Sequence, residues 1–240
     1  MPSTNTIKVK LFCDGAEIGS IREMATNPQI QGFTTNPTLM HKAGVTDYQA
    51  FAREALSVTR GKSISFEVFS DDFETMEREA HVIASWGGNT YTKIPVTNTK
   101  GISASPLIRR LSADGMALNV TAILTLDQVR EVADALAPNT PAIVSVFAGR
   151  IADTGVDPIP FMTEALAILK DKPKAELLWA SPRELLNVFQ ADACGCHIIT
   201  ATPDVLKKLS LVGKDLNEYS LETVKMFYND AKAAGFKLVD

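Results

Sequence analysis

A parallel eight-stranded (β/α)8 barrel, the TIM-barrel architecture, is the fold this sequence predicts, and three observations carry the expectation. Eight short β-rich runs recur: 8–13, 31–34, 63–68, 90–94, 117–120, 142–146, 176–180 and 197–200. Between them lie apolar residues three and four apart, as in Phe73, Met76, Ala80, Ile83 and Ala84, or Leu126, Val129, Val132, Ala133 and Leu136, which is the period of a helix with one buried face. Strand starts fall about 20 to 35 residues apart, enough for a crossover helix, and no Asn-Gly or Asp-Gly turn joins two runs as a hairpin. Eight alternating units in 240 residues fit a closed barrel more economically than an open doubly wound sheet built from the same units. The expected organisation is one barrel domain over residues 1–240, with an additional C-terminal helix.

The punctuation agrees, element by element. Thr46-Asp47-Tyr48-Gln49 has the form of a capping box, in which the Thr hydroxyl and the Gln side chain satisfy donors left open at a helix start. Gly87-Gly88 and Gly115 end the helices that follow the third and fourth strands. Pro138 and Pro141 close the helix begun near Leu126, since proline can neither donate to nor fit inside a continuing turn. Pro182 suits the first turn of a helix running towards Ala193. After the eighth strand come helical patterns at 203–209 and 221–234, and the last exceeds what closing the barrel requires, so it is expected to pack on a neighbouring subunit.

Composition narrows the functional classes. At 45% hydrophobic and 22% charged residues the chain is of soluble globular type. A net charge of -4 argues against a sequence-independent nucleic-acid binder, which relies on clustered Lys and Arg. No apolar run approaches the roughly 20 residues of a membrane span. MPSTNTIKVK has neither an apolar signal core nor an arginine-rich amphipathic stretch, and three cysteines do not make a secreted disulfide framework, so a reduced cytoplasmic setting is expected. Cys194, Cys196 and His197 cluster, but no fourth ligand is evident, so the reading is of thiols beside the last strand and of no metal site.

In such a barrel the chemistry belongs at the C-terminal ends of the strands and in the loops that follow. Every predicted strand ends in a group able to hydrogen-bond or ionise: Asp14, Thr34-Thr35-Asn36, Glu67, Lys93, Asn119 with Thr121, Ser145 with Arg150, Ser181 with Arg183, and Thr200. Taken singly, Asp14, Asn36 and Ser181 are also what a helix cap or turn uses, and Glu67 with Lys93 could be a structural ion pair. Lys93, within Asn89-Thr90-Tyr91-Thr92-Lys93-Ile94-Pro95, has three options: a solvated lysine, a phosphate ligand, or an amine that attacks a carbonyl to form a Schiff base. Schiff-base chemistry also needs proton transfers, for which Glu67 and Asp14 are the available carboxylates. Asn36, Asn119 and Thr121 could hold a hydroxylated chain or a water, and Arg150 and Arg183 with Ser145 and Ser181 form a phosphate clamp. The set suits a phosphosugar.

On these residues the sequence resembles the transaldolase family, including its small fructose-6-phosphate-aldolase relatives. The matching blocks are Gly32-Phe33-Thr34-Thr35-Asn36-Pro37-Thr38-Leu39, Thr92-Lys93-Ile94-Pro95, Asn119-Val120-Thr121, Ser145-Val146-Phe147-Ala148-Gly149-Arg150-Ile151 and Ala180-Ser181-Pro182-Arg183. The resemblance implies Lys93 as Schiff-base nucleophile, with no metal and no organic cofactor. It implies that Glu67 and Asp14 move protons through a water that Thr121 helps to hold, and that Asn36 and Asn119 contact a dihydroxyacetone unit. Ser145 and Phe147 would border the site, while Arg150, Ser181 and Arg183 would bind a sugar phosphate. Glu67 and Phe147 are the residues of the transferring members, where the aldolases that release free dihydroxyacetone carry Gln and Tyr. Gly15 and Pro182 depart from the family pattern, which has a small hydroxyl residue and an aromatic there. The length is that of the small members of the family, and the resemblance to them implies a homo-oligomer, pentamer or decamer. Two other readings fit the residues: simple cleavage of a ketose phosphate, and a phosphosugar-binding barrel without chemistry.

Overall fold

The computed structural model describes residues 7–238. Eight strands, β1 (Lys10–Asp14), β2 (Ile30–Thr34), β3 (Ser63–Glu67), β4 (Thr90–Pro95), β5 (Leu118–Ile123), β6 (Ala142–Val146), β7 (Ala175–Trp179) and β8 (Ile198–Ala201), form a closed barrel in sequence order. Every neighbouring pair is parallel, and β1 pairs with β8 to complete the ring. The crossovers carry helices α1 (Ile18–Thr26), α2 (Pro37–Lys42), α3 (Tyr48–Val58), α4 (Phe73–Ser85), α5 (Ser105–Ala113), α6 (Leu126–Ala135), α7 (Ala148–Asp153), α8 (Pro158–Ile168) and α9 (Leu186–Ala193). After β8 come α10 (Pro203–Lys207), a short 3-10 turn and α11 (Leu216–Ala233).

Two cores follow from the alternation of each strand, whose odd and even residues face opposite sides of the sheet. The larger fills the space between strands and helices and holds Phe33, Ile64, Phe66, Ile94, Val120, Val144 and Trp179. The smaller gathers Phe12, Ile143, Leu178, Ala180 and Ile198 with Tyr91 and Phe147, and plugs the barrel interior. Gly32 makes this plug possible. A Cβ there would lie 2.5 Å from the Phe12 ring and 2.6 Å from Ser63 Oγ, so the missing side chain is the space the ring occupies. With the interior packed below, the polar strand ends are displayed above it.

Four local expectations change. α3 is capped by Asp47, whose Oδ1 accepts from the Ala50 amide, in place of Thr46, because carboxylate one residue on reaches the open donor. A full capping box occurs instead at Thr125 and Gln128 of α6. Pro182 lies outside α9: Ser181 takes φ 60°, and Asn187 Oδ1 accepts from the amides of Arg183 and Glu184, which holds a separate turn before the helix. β5 runs on to Ile123 through a bulge, with Ala122 at φ 63° and a register shift between Val120 and Ile123. α11 starts earlier than the pattern indicated, at a cap in which Asp215 accepts from Asn217 and Glu218 amides, and none of its residues is buried. Among the described residues no helix is long and apolar enough to cross a membrane.

Candidate active site

Lys93 is the centre of the polar strand ends. Register pairs it with Glu67 on one side and Asn119 on the other, so all three project from adjacent strands at one level. Its side chain is 8% exposed, and Nζ lies 2.9 Å from Glu67 Oε2 and donates to the Thr35 carbonyl at 3.0 Å. A buried ammonium needs such acceptors, because an uncompensated charge in a low-dielectric interior costs several kcal/mol. Glu67 is itself held: the Tyr48 hydroxyl of α3 donates to its carbonyl at 2.8 Å, and the Tyr48 ring packs edge-on against Phe66, Phe69 and Trp86.

On the side of Lys93 away from Glu67, Asn119 is fully buried and spends its amide on the barrel wall. Ser145 Oγ donates to Asn119 Oδ1 at 2.6 Å, and Asn119 Nδ2 donates to Ser65 Oγ at 3.0 Å. The chain spans β3, β5 and β6 and fixes the orientation of the amide. Thr121 Oγ1 is buried with no protein partner. The left-handed Ala122 follows it at the bulge, and the orphaned hydroxyl keeps its donor and acceptor capacity unused within the protein. Asp14, at the end of β1, accepts from Thr34 Oγ1 at 2.8 Å, and Thr34 Oγ1 lies 2.5 Å from Thr200 Oγ1. Burial pushes the Asp14 carboxyl above its ordinary range; Lys93 and the Thr34 hydrogen bond pull it back, and Glu67 adds to the rise.

The expected cation clamp has a different character. Arg150 is exposed and its guanidinium lies over the Phe147 ring, 5.3 Å from the centroid. Arg183, also exposed, donates from Nε to Asp153 Oδ1 at 2.9 Å and from Nη2 to Asp153 Oδ2, a two-point ion pair with the end of α7. Ser181 joins the two segments by its backbone. A Cβ on Gly149 would fall 1.6 Å from the Ser181 carbonyl oxygen, so only glycine lets the β7–α9 turn sit on α7. Asn36 caps α2, its Oδ1 accepting from the Leu39 amide, which leaves its side-chain amide nitrogen free of that bond. Among the described residues no hydrogen bond joins the side chains of Arg150, Ser181 and Arg183 to one another.

The residues read from strand ends therefore divide. Lys93 with Glu67, Asn119 with Ser145, and Asp14 form contacts; Arg150 and Arg183 are held by partners of their own. Ser65, Tyr48 and Asp153 were missed. Ser65 was legible in principle, since it lies two residues before Glu67 on the same strand face. Tyr48 and Asp153 act across elements distant in sequence and gave no local signal. Cys196 is buried and Cys194 half-buried, and burial raises both thiols. His41 and His81 are exposed on helices, as their positions indicated.

Comparison with known proteins follows the same outline. A family model described as Transaldolase/Fructose-6-phosphate aldolase matches residues 11–238. A "Probable transaldolase" of Thermoanaerobacter sp. (strain X514) is 35% identical over 231 residues, covering 96% of this chain and all of the relative. Another from Sphingopyxis alaskensis is 34% identical over 202 residues, 84% of this chain and 89% of that one. Among solved structures, KGPDC from Streptococcus mutans superposes with a TM-score of 0.56 at 10% identity, over 83% of this chain and 90% of that chain, a likeness of fold alone.

Proposed function

Because the chain belongs to the transaldolase/fructose-6-phosphate aldolase family, and is thus an enzyme of aldolase type, we propose that it transfers a dihydroxyacetone unit between sugar phosphates through a Schiff base on Lys93. The observation that carries this reading is the buried Lys93 amine, held 2.9 Å from the Glu67 carboxylate at the mouth of the barrel. That arrangement gives the amine a proton acceptor in direct contact.

In the proposed sequence the Lys93 nitrogen attacks the ketose C2 carbonyl, and Glu67, directly or through a water on Thr121, delivers the proton that lets the carbinolamine expel water. The C3–C4 bond of the resulting iminium then breaks. Its electron pair moves to the iminium nitrogen as an enamine, the C4 hydroxyl proton passes to Asp14, and an aldose phosphate departs. A second aldose phosphate takes the new C–C bond from the enamine carbon, its oxygen recovers the proton from Asp14, and hydrolysis frees Lys93. Asn119, with Ser145 behind it, and Asn36 hold the hydroxyls of the three-carbon unit. Phe147 borders it, and Arg150, Ser181 and Arg183 take the phosphate.

Transfer is favoured over release of free dihydroxyacetone by the carboxylate at Glu67 and the phenyl ring at Phe147. Fructose 6-phosphate should give sedoheptulose 7-phosphate only when erythrose 4-phosphate is added; abundant free dihydroxyacetone without an acceptor overturns transfer. Borohydride reduction during turnover, followed by peptide mass mapping, tests the covalent step. An adduct elsewhere than Lys93, or none, ends the mechanism, and tight sugar-phosphate binding with no adduct leaves a binding barrel. We further propose a role in cytoplasmic carbohydrate metabolism and assembly into a homo-oligomer, pentamer or decamer. The exposed Leu216, Leu221, Val224, Phe227 and Tyr228 of α11 support assembly, and light scattering at size-exclusion tests it.

A further inference from the structure

The hydrogen-bond geometry points to Thr34 and Thr200 as a polarised pair of positioning residues, Thr200 donating to Thr34 and Thr34 donating to Asp14, which confines the proton that Asp14 exchanges to its Oδ2. The inference rests on the reading of Asp14 as the group that takes and returns the substrate hydroxyl proton.

Proton counting decides the direction. A threonine hydroxyl has one hydrogen to donate and can accept others. Thr34 Oγ1 is 2.8 Å from Asp14 Oδ1 and 2.5 Å from Thr200 Oγ1, and the second contact admits either atom as donor. While Asp14 is ionised the Thr34 hydrogen is committed to the carboxylate, and Thr34 can then only accept from Thr200. Both threonines are buried, 2% and 5% exposed, so water does not replace either partner cheaply. Closure of the barrel is what assembles the chain: β2 and β8 flank β1, with Asp14 paired to Thr34 and Phe12 paired to Thr200.

The consequence is chemical. Asp14 Oδ1 accepts a hydrogen bond whose donor is itself polarised by a second donor, and such chains strengthen each member. That favours the carboxylate and counters the burial that raises Asp14. The charged groups facing Asp14 are Lys93 from β4, which acts in the same direction, and Glu67 from β3, which opposes; Cys13 beside it is pushed up to about 12 and stays a neutral thiol. β2 and β8 contribute the two hydroxyls. The pair thus works against the rise that burial causes in Asp14, while leaving Oδ2 unengaged by either hydroxyl.

The test reads the Asp14 midpoint twice, from the acidic limb of kcat/KM against pH and from carboxyl ¹³C NMR of the resting full-length enzyme, where turnover is not needed. Thr34→Val should raise both midpoints by about one pH unit, the worth of one hydrogen bond to a charged group. Thr200→Val should raise them by about 0.3 unit through the weakened chain. In the Thr34→Val background Thr200→Val should add nothing, because its acceptor is gone. Thr34→Ser and Thr200→Ser, which keep the hydroxyl, should restore the wild-type midpoints and guard against variants that merely misfold. A Thr200→Val shift that persists in Thr34→Val, or no shift in either valine variant, overturns the pair. An NMR shift as expected with an acidic limb that survives Asp14→Asn would keep the pair and reject the proton-transfer reading of Asp14.

Discussion

The mouth of the barrel has two unlike halves. From β1 to β6 the polar groups are buried or half-buried, stand at the strand ends and mostly bond one another: Lys93 with Glu67 and Thr35, Asn119 with Ser65 and Ser145, Asp14 with Thr34. On the α7 and β7–α9 side the cations are exposed, sit on loops and a short helix, and are held by Phe147 and Asp153. The difference matches the division of labour proposed above, with chemistry in the buried half and a phosphate in the exposed one. Bond-making atoms must be held within a fraction of an ångström, which strands and hydrogen-bond chains provide. A phosphate some carbons away tolerates movement and is better met by charges that water can screen and release.

Substitutions at Lys93 give the sharpest test of the buried half. Lys93→Met removes the proposed nucleophile and should reduce turnover and borohydride-trapped adduct to background, with far-UV circular dichroism showing the barrel intact. Next come the carboxylates. Asp14→Asn and Glu67→Gln should each lower kcat by about 10²- to 10⁴-fold, the usual contribution of a general acid or base, with a smaller change in KM. If either variant lost its activity through KM alone, the assignment to chemistry would fail.

Asp14→Asn carries a second, opposite expectation in stability. A carboxyl raised by burial is neutral in the fold more readily than in the unfolded chain. Its contribution to stability is therefore present below the unfolded pKa of about 3.9 and is lost as pH rises through the folded value. Asn has no such loss, so the variant should be more stable than the wild type at pH 7 and lose that advantage below about pH 4. Urea melts at the two pH values would show it; equal differences at both would contradict the burial of a titrating Asp14.

The exposed half should respond in KM. Arg183→Ala and Arg150→Ala should each raise KM for a phosphorylated ketose by about 10- to 100-fold, consistent with losing a charge-assisted hydrogen bond, while kcat changes little. An unphosphorylated ketose should be indifferent, and equal loss with both substrates would place the arginines in the chemistry. The smallest effect belongs to Asp153. Its pair with Arg183 is exposed, and such pairs are worth about 1 kcal/mol or less, so Asp153→Asn should move KM for the phosphorylated ketose by no more than about 5-fold. Stopped-flow or initial-rate kinetics at two salt concentrations would resolve it, with the wild-type difference shrinking at high salt.

Much of the strand half was legible from sequence, and little of the loop half was. Strand existence followed from β-rich runs separated by helix-period patterns, and Glu67 beside Lys93 followed from consecutive parallel strands whose ends share a rim. Arg150 and Arg183 could be named but not located: Phe147 lies only three residues before Arg150, but Asp153 meets Arg183 only through the way a six-residue helix and an irregular turn lie on each other. Ser181 at positive φ and Gly149 beneath it settle that contact, and neither announces itself in the pattern.

By itself the sequence determined the repeating strand-helix unit, the polar character of every strand end and the order in which those ends meet round a ring, because side-chain periodicity reports which local face is buried. Tertiary structure decided the rest. Closure of β8 on β1 brought Thr200 to Thr34 across a gap of 166 residues, burial left the Thr121 hydroxyl without a protein partner, and the register of β3, β5 and β6 linked Ser65, Asn119 and Ser145. Stagger, bulges and loop contacts are set by packing among distant segments, whose energies no local window of residues contains.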